Sequence, residues 1–597
     1  MKRRIISTVL YPIIKELPFF LMYFVLMANY VIRLFRCKLV LPEYQDAGFT
    51  YWDLFFRATL IMLCGYLFSW LLVALRKKWV KVVAYSIVIG LFAVDFFLSK
   101  AFGLFISPFV LVLIAETNTK ESAEFINTFM GVGGNWVVYS VVLLVIVITA
   151  ILEKFYYPRI YQKLNSLIER KRLLSYLMVS VFSVLFVCGL YASGTYVRLF
   201  QCNDTDELSD WEMYDTFYPL DPFSNTMYAL RGVYLADKEM KSAIEDVNHN
   251  KNAVSCREDS LTVVLVIGES YIKSHAALYG YALQTTPNMC QEIEDGNLFA
   301  FRDVISPFNS TSNTMKNMLC CNSISEGESW FGSAYFPALF ADAGYKVMFW
   351  DNQKDWNAQM SFSFALNTFL YNENMNRLYA AVNDVSYEYD DELVHSFFAR
   401  NPETAGNQLV LFHLLGQHSD ADCRYPARKE FMQFTADSIK RNDSYLDAHR
   451  KTKIANYDNA TYYNDYVIKH IMDHYRSRNA VMLYLSDHGE EIYDYRDSEG
   501  RRRETAFNRN LLKYQYDIPF LLWCSPVYQQ LHPGITDTIT QALDRPFMID
   551  NVCQVLFHLG GISGDYYIPQ RDLLSSKYRT PKRLVERVVD YDAEHKS

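Results

Sequence analysis

Three aliphatic runs in the second half of this chain end on residues that bind cations or move protons. LTVVLVI (261–267) runs into Gly268-Glu269-Ser270, QLVLFHLL (408–415) into Gly416-Gln417-His418, and AVMLYL (480–485) into Ser486-Asp487-His488-Gly489-Glu490-Glu491. Carboxylate oxygen and imidazole nitrogen are donors for zinc and related divalent cations, zinc taking them tetrahedrally. Glu269, Asp487 and His488 supply three ligands and leave a fourth position for a nucleophile. A lone Asp-His pair at a strand end is ordinarily a cap or a loop; recurrence at three strand ends argues for a metal site. The nucleophile is expected within ISPFNSTSNTMKNMLCC (305–321), where a turn at Ser306-Pro307 and Asn309 gives way to a helical pattern near Thr311. A hydroxyl at a helix N-terminus faces backbone N–H groups, an arrangement that binds phosphate, and metal coordination ionises it at neutral pH. Ser310, Thr311, Ser312 and Thr314 all qualify. Ser and Thr are also the ordinary N-cap residues, and position alone does not choose among the four.

The elements that must carry these residues follow from the same runs. A continuous β-branched stretch is the mark of a parallel strand buried on both faces. A weaker run, Lys346–Trp350, precedes Asp351-Asn352, and helical patterns such as Tyr462–Tyr475 lie between the strands. Alternating strands and helices predict an open, mostly parallel sheet covered by helices. Ligands of such sheets bind beyond the carboxyl ends of the strands, where Glu269, His418, Asp487 and His488 would be delivered together.

The first half of the chain is written for another solvent. Residues 1–200 hold 21 Lys and Arg against 10 Asp and Glu, whereas the remainder holds 37 against 56, and all 12 histidines follow residue 248. Apolar stretches over 17–35, 55–75, 80–99, 136–152 and 173–192 each approach the length that crosses a bilayer, roughly 17–25 residues. Five membrane helices are predicted. The first follows Lys2, Arg3 and Arg4 but is too long for a signal peptide and has no small-residue cleavage site, so it is read as an anchor. Fourteen basic residues fall in the N-terminus and the loops after the second and fourth spans, and six in the alternate loops. This bias predicts a cytoplasmic N-terminus and an external second half. Residues 104–115 are too short to span and suit the interface. Domains are expected over 1–193 (transmembrane), 194–255 (an aromatic bridge at the membrane surface or a linker) and 256–597 (catalytic). Eight of 11 cysteines lie in the external part, which permits disulfides without fixing their pairing. The acidic second half excludes a nucleic-acid partner.

VLVIGES (264–270), LYGYALQTTP (278–287), HLLGQH with RYP (413–426), YDNATYYND (457–465), SDHGEEIYD (486–494) and IPFLLW (518–523) occur in this order. The pattern resembles the bacterial phosphoethanolamine transferases of the alkaline phosphatase/sulfatase-like superfamily, most closely the branch that modifies lipopolysaccharide core heptose, and the likeness covers the whole chain. It implies a zinc site of Glu269, Thr311, Asp487 and His488, with Thr311 as the catalytic nucleophile and His418 as a catalytic histidine of the donor site. His413 also matches but lies inside a strand. Lys273, Asn313 and Asn352 are implied phosphate or headgroup contacts. The implied reaction moves phosphoethanolamine from phosphatidylethanolamine to lipopolysaccharide, on a core sugar or lipid A, through a phospho-threonine. The implied place is the bacterial inner membrane, among membrane lipids, with the catalytic domain in the periplasm.

This chain departs from the family in two places. Lipid A-modifying relatives carry a further histidine a dozen residues after the Asp-His pair; here no histidine lies between 489 and 531. That argues for one zinc rather than two, and leaves Arg501, Arg502, Arg503 or Arg509 to meet an anionic substrate. After Thr311 the chain reads Ser-Asn-Thr-Met-Lys-Asn-Met, closer to the core-modifying branch. The C/S-x-P-x-R sequence of true sulfatases is absent. Alternatives are transfer of phosphoglycerol or hydrolysis of a phosphodiester at the same site. A non-catalytic membrane sensor would be expected to have lost ligands, and all four positions are filled.

Overall fold

The computed structural model describes residues 2–40, 51–101, 105–108, 110–111, 136–170, 172–211, 221–249, 254–353, 370, 375, 377–401, 405–418, 421–501 and 507–596. The chain divides into two compact units, one of Met1–Asp237 with Ala358–Phe364, the other of Lys238–Asn357 with Ala365–Ser597.

The first unit is helical: α1 (Lys2–Lys15), α2 (Leu17–Val40), α3 (Tyr51–Leu75), α4 (Lys78–Ala101), α5 (Trp136–Ile151), α6 (Tyr157–Arg170) and α7 (Arg172–Ala192). Among the described residues four helices are long and apolar enough to cross a membrane; α1 and α2, bent by 84° at Glu16, make a fifth span if taken as one. The predicted count therefore stands at four to five. Glu16 at the bend is buried against Lys81 Nζ at 2.7 Å. Val82, Leu143 and Val187 are more than 60% exposed, a cost in water that lipid removes. The segment expected as a bridge is largely helical, forming Gly194–Gln201, Thr205–Asp210 and Pro222–His249. Asp204 starts the second of these by accepting the Glu207 N–H at 2.7 Å. Tyr214, Phe217, Tyr218 and half of 104–115 lie outside the described residues.

The second unit holds a seven-stranded sheet: β1 (Thr262–Gly268), β2 (Leu298–Ala300), β3 (Lys346–Asp351), β4 (Ala381–Val382), β5 (Gln408–His413), β6 (Ala480–Ser486) and β7 (Phe520–Cys524), in the order β2-β7-β6-β1-β5-β3-β4. All neighbours are parallel except those of β7, which runs antiparallel to both β6 and β2. Alternate residues of β1 enter different cores: Val263, Leu265 and Ile267 pack on one face, Val264 and Val266 on the other. Burial of both faces accounts for the unbroken aliphatic runs. Register aligns Ile267 of β1 with His413 of β5 and Leu485 of β6, so the three central strands end level. Among the described residues no disulfide is formed.

Candidate metal centre

Glu269 is the first residue beyond β1, and Asp487 and His488 are the first beyond β6. Their ligand atoms lie within 4.8 Å of one another, and all three side chains are buried. The turn that aims Glu269 is fixed on several sides. Ser270 adopts φ +56°, which costs a non-glycine residue about 1 kcal/mol. It is held there by its N–H to Asp487 Oδ1 (3.2 Å), the Tyr271 N–H to Ser486 Oγ (3.0 Å), and the Tyr457 hydroxyl, which donates to the Ser270 carbonyl (2.5 Å) and accepts the Ile272 N–H (2.7 Å).

Thr311 opens α8 (Thr311–Leu319), with Ser310 as its N-cap. Its Oγ1 donates to Glu269 Oε2 at 2.9 Å and lies 3.2 Å from His488 Nε2. The helix start turns the other candidates differently. Thr314 is buried against the Phe308 carbonyl and Ser306 Oγ, and the Ser310 side chain makes no cap bond. Thr311 is thus the hydroxyl brought to the acidic cluster.

The electrostatics call for a cation. His488 Nδ1 pairs with the Gly489 carbonyl at 2.8 Å, so it carries the proton and Nε2 presents a lone pair. That lone pair faces Asp487 Oδ2 at 3.0 Å and Glu269 Oε1 at 3.3 Å, and Asp487 Oδ2 has no hydrogen-bond donor although buried. Three electron-rich atoms in one dry pocket repel one another unless a positive charge lies between them. One imidazole, two carboxylates and a hydroxyl fit a borderline divalent cation such as zinc.

The other predicted residues fall into two groups. His418, half-buried on the loop after β5, lies near enough to feel Glu269, Arg501 and His488; burial and the arginines pull its pKa down. Arg501 touches His488 Nε2 through Nη1, which also donates to the Asn309 carbonyl at 2.8 Å. Lys273 is engaged elsewhere, by Asp517 at 2.9 Å and the Arg302 carbonyl. The Asn352 amide is spent on Asp390 and the Tyr387 N–H, which shapes the loop leading to His418 because Asp390 also accepts the Leu415 and Gly416 N–H groups. His413 pairs with Asp351 at 2.9 Å within the sheet edge. Asn313 is half-buried in the first turn of α8, Arg509 is exposed, and Arg502 and Arg503 lie outside the described residues. Sequence reading missed Gln353, whose amide bridges Glu269 Oε2 (3.0 Å) and the Leu414 carbonyl (2.7 Å), and Glu490, which meets Ser270 Oγ and Arg501. Gln353 follows a strand end by two residues, a signal too common to single it out.

Residues 262–551 match the family model described as Sulfatase. This segment is similar to the sulfatases. The matching segment holds the mostly parallel α/β sheet described above, and four to five apolar helices precede it among the described residues. The chain is 26% identical to phosphoethanolamine transferase EptC of Escherichia coli K12 over 520 residues, 82% of each chain. It is 28% identical to Kdo(2)-lipid A phosphoethanolamine 7''-transferase of the same organism over 279 residues, 45% of each. The crystal structure of the C-terminal periplasmic domain of E. coli EptC in complex with Zn is 26% identical, covers 57% of this chain and 95% of that one, and has a TM-score of 0.49. The similarity to phosphoethanolamine transferase EptC extends through both halves of the chain.

Proposed function

We propose that this chain is a zinc-dependent phosphoethanolamine transferase that moves the headgroup of phosphatidylethanolamine to lipopolysaccharide, on a core sugar or lipid A, through Thr311. The observation that carries the reading is Thr311 Oγ1, at the start of α8, in contact with both Glu269 and His488. The similarity to named phosphoethanolamine transferases supports the headgroup and the lipid A-bearing acceptor.

One zinc ion held by Glu269, Thr311, Asp487 and His488 would supply a Lewis acid that lowers the pKa of the threonine hydroxyl. Thr311 Oγ1 attacks the phosphorus in line: the Oγ1–P bond forms and the bond from phosphorus to the diacylglycerol oxygen breaks. His418, kept neutral by burial, takes the hydroxyl proton and returns it to the departing oxygen. In the second displacement the acceptor hydroxyl or phosphate oxygen attacks the same phosphorus, the Oγ1–P bond breaks, and the acceptor's proton returns through His418 to Thr311. The N–H groups at the start of α8 and the fixed cations of the site stabilise charge on the phosphoryl oxygens. Apolar helices would anchor the chain in the inner membrane, which holds the donor lipid, with the catalytic domain periplasmic.

The test is intact-mass analysis of the full chain incubated with phosphatidylethanolamine. Wild type should gain one phosphoethanolamine on Thr311, discharge it to lipopolysaccharide, and lose both steps in Thr311→Ala while retaining its unfolding midpoint. A label on another residue, or release of the headgroup to water alone, would refute the assignment.

A further inference from the structure

We propose that Arg501 is a further catalytic residue: its guanidinium grips the non-bridging oxygens of the phosphoryl group that Thr311 carries. The inference rests on the transferase reading and deepens it by naming the group that recognises the phosphoryl.

The loop after the Asp-His pair is built to return this arginine to the site. Glu491 receives Arg496 Nε at 2.8 Å and Nη2 at 2.7 Å, the Tyr493 N–H donates to the Ser498 carbonyl, and the Gly500 N–H donates to the Glu491 carbonyl, both at 2.9 Å. An antiparallel bridge between Ile492 and Glu499 closes the hairpin. The chain therefore comes back beside its own start, and Arg501 points inward. Glu490 Oε2 holds its Nε at 3.2 Å and the Asn309 carbonyl holds Nη1 at 2.8 Å. Asn309 precedes Thr311 by two residues, and the His488 Nε2 that Nη1 touches is itself 3.2 Å from Thr311 Oγ1. A phosphoryl group on Oγ1 projects its oxygens into the span between threonine and arginine.

Charge and valence favour this use over a plain ion pair. His488 Nε2 has one lone pair, which serves either Arg501 or a metal ion. With an ion in place Nη1 needs another acceptor, while Nε stays tethered to Glu490. A phosphodiester on Thr311 presents one negative charge over two equivalent oxygens, the shape a guanidinium fork binds in two parallel hydrogen bonds. Arg501 keeps its charge at any working pH, so it neutralises the transition state without taking a proton.

The test uses the full-length, zinc-loaded protein in detergent with two variants, Arg501→Gln and Arg501→Lys. Three quantities are measured: turnover of phosphatidylethanolamine, bound zinc, and the dissociation constant of inorganic phosphate. Arg501→Gln should lose about 10²–10³-fold in kcat and bind phosphate about tenfold more weakly or worse, with zinc content unchanged. Arg501→Lys should recover only a small part, because an ammonium cannot form the fork. Phosphate affinity within twofold of wild type, or zinc lost together with activity, would overturn the proposal. If Arg501→Gln fails to fold, Glu490→Gln keeps the charge and loosens the tether; it should weaken phosphate binding several-fold, and an unchanged constant would overturn the proposal. A wild-type protein whose phosphate affinity depends on Arg501 but which transfers no headgroup would sink the transferase reading and leave this one standing.

Discussion

Glu269 has both carboxylate oxygens committed. Oε1 accepts the Ser270 hydroxyl at 2.7 Å and faces His488, while Oε2 accepts Thr311 and Gln353. Its position also depends on a residue with no side chain. Gly416, at φ +51°, passes so close that a Cβ would lie 2.7 Å from both the amide nitrogen and the carbonyl oxygen of Glu269. Gly416→Ala should therefore shift the ligand without removing it. The expected outcome is a lower unfolding midpoint and zinc binding about tenfold weaker, a cost of about 1.4 kcal/mol, read by competition with a chelating dye. Glu269→Gln removes the charge itself and should leave the purified protein with little bound metal by elemental analysis. Glu269, Asp487 and His488 were legible in the sequence because each directly follows a buried strand. Thr311 was not separable from its hydroxyl neighbours, since a one-residue step along a helix turns a side chain by about 100° and only the packing of α8 shows which one faces the cluster. Gln353 and Glu490 escaped because their roles arise from loop closure, which leaves no periodic mark; Arg501 was one of four arginines considered for an anionic substrate, and only the closed loop shows its contact with His488.

At the scale of elements, the sheet ends supply the ligands and one long helix fastens the loops between them. This helix, α9 (Ala448–Tyr475), is capped by Asp447, whose side chain accepts the Arg450 N–H at 2.8 Å. The apolar pattern predicted only its second half, Tyr462–Tyr475. Its first half looks polar because those side chains act as hooks rather than as a solvated face: Tyr457 holds the Ser270 turn and Asn459 pairs with both backbone groups of Phe434, and in the second half Asp465 likewise receives the Asn288 and Met289 N–H groups. A further hook is Asp458. Its Oδ1 meets His275 Nδ1 at 2.7 Å, while Asp494 Oδ1 meets Nε2 at 2.8 Å, so one buried imidazole joins α9 to the loops following Glu269 and His488. Burial would lower the His275 pKa, but the Asp494 and Asp458 carboxylates overcome it and raise the value to about 10. A pKa raised on folding contributes stability that is fully present below the unfolded value, about 6.5, and is lost as pH climbs through about 10. The unfolding free energy should thus fall between pH 7 and pH 10 by an amount on the order of a few kcal/mol. Urea titrations across that range should show the slope in wild type and a flatter profile, from a lower start, in His275→Gln. An equal slope in the variant would place the titrating group elsewhere.

At the scale of the whole molecule, the membrane unit sorts its polar contacts by side. Lys81 Nζ bridges Glu16 and Glu153, each at 2.7 Å, and the Tyr157 hydroxyl donates to the Ile14 carbonyl at 3.2 Å. The bend between α1 and α2, the start of α4 and the end of α5 therefore share one end of the bundle. The other end gathers Tyr30, the Ile106 N–H and Asn225 around the buried Asp95. Lys81 and Asp95 lie 14 residues apart on α4, about 21 Å along the axis, so the two clusters bracket most of a hydrocarbon core of roughly 30 Å. Lys15, the basic residues of 76–81 and Lys154 are adjacent in sequence to Glu16, Lys81 and Glu153 of the first cluster. Under the topology expected from charge bias, that end would lie in the cytoplasm. Single cysteines placed at Lys77 and Lys163 should react with an impermeant maleimide only after the inner membrane is opened, whereas one at Asn203 should react in intact spheroplasts. The reverse pattern would put the carboxyl ends of β1 and β6 in the cytoplasm, away from lipopolysaccharide on the outer leaflet, and would remove the physical reason for joining this catalytic unit to these helices.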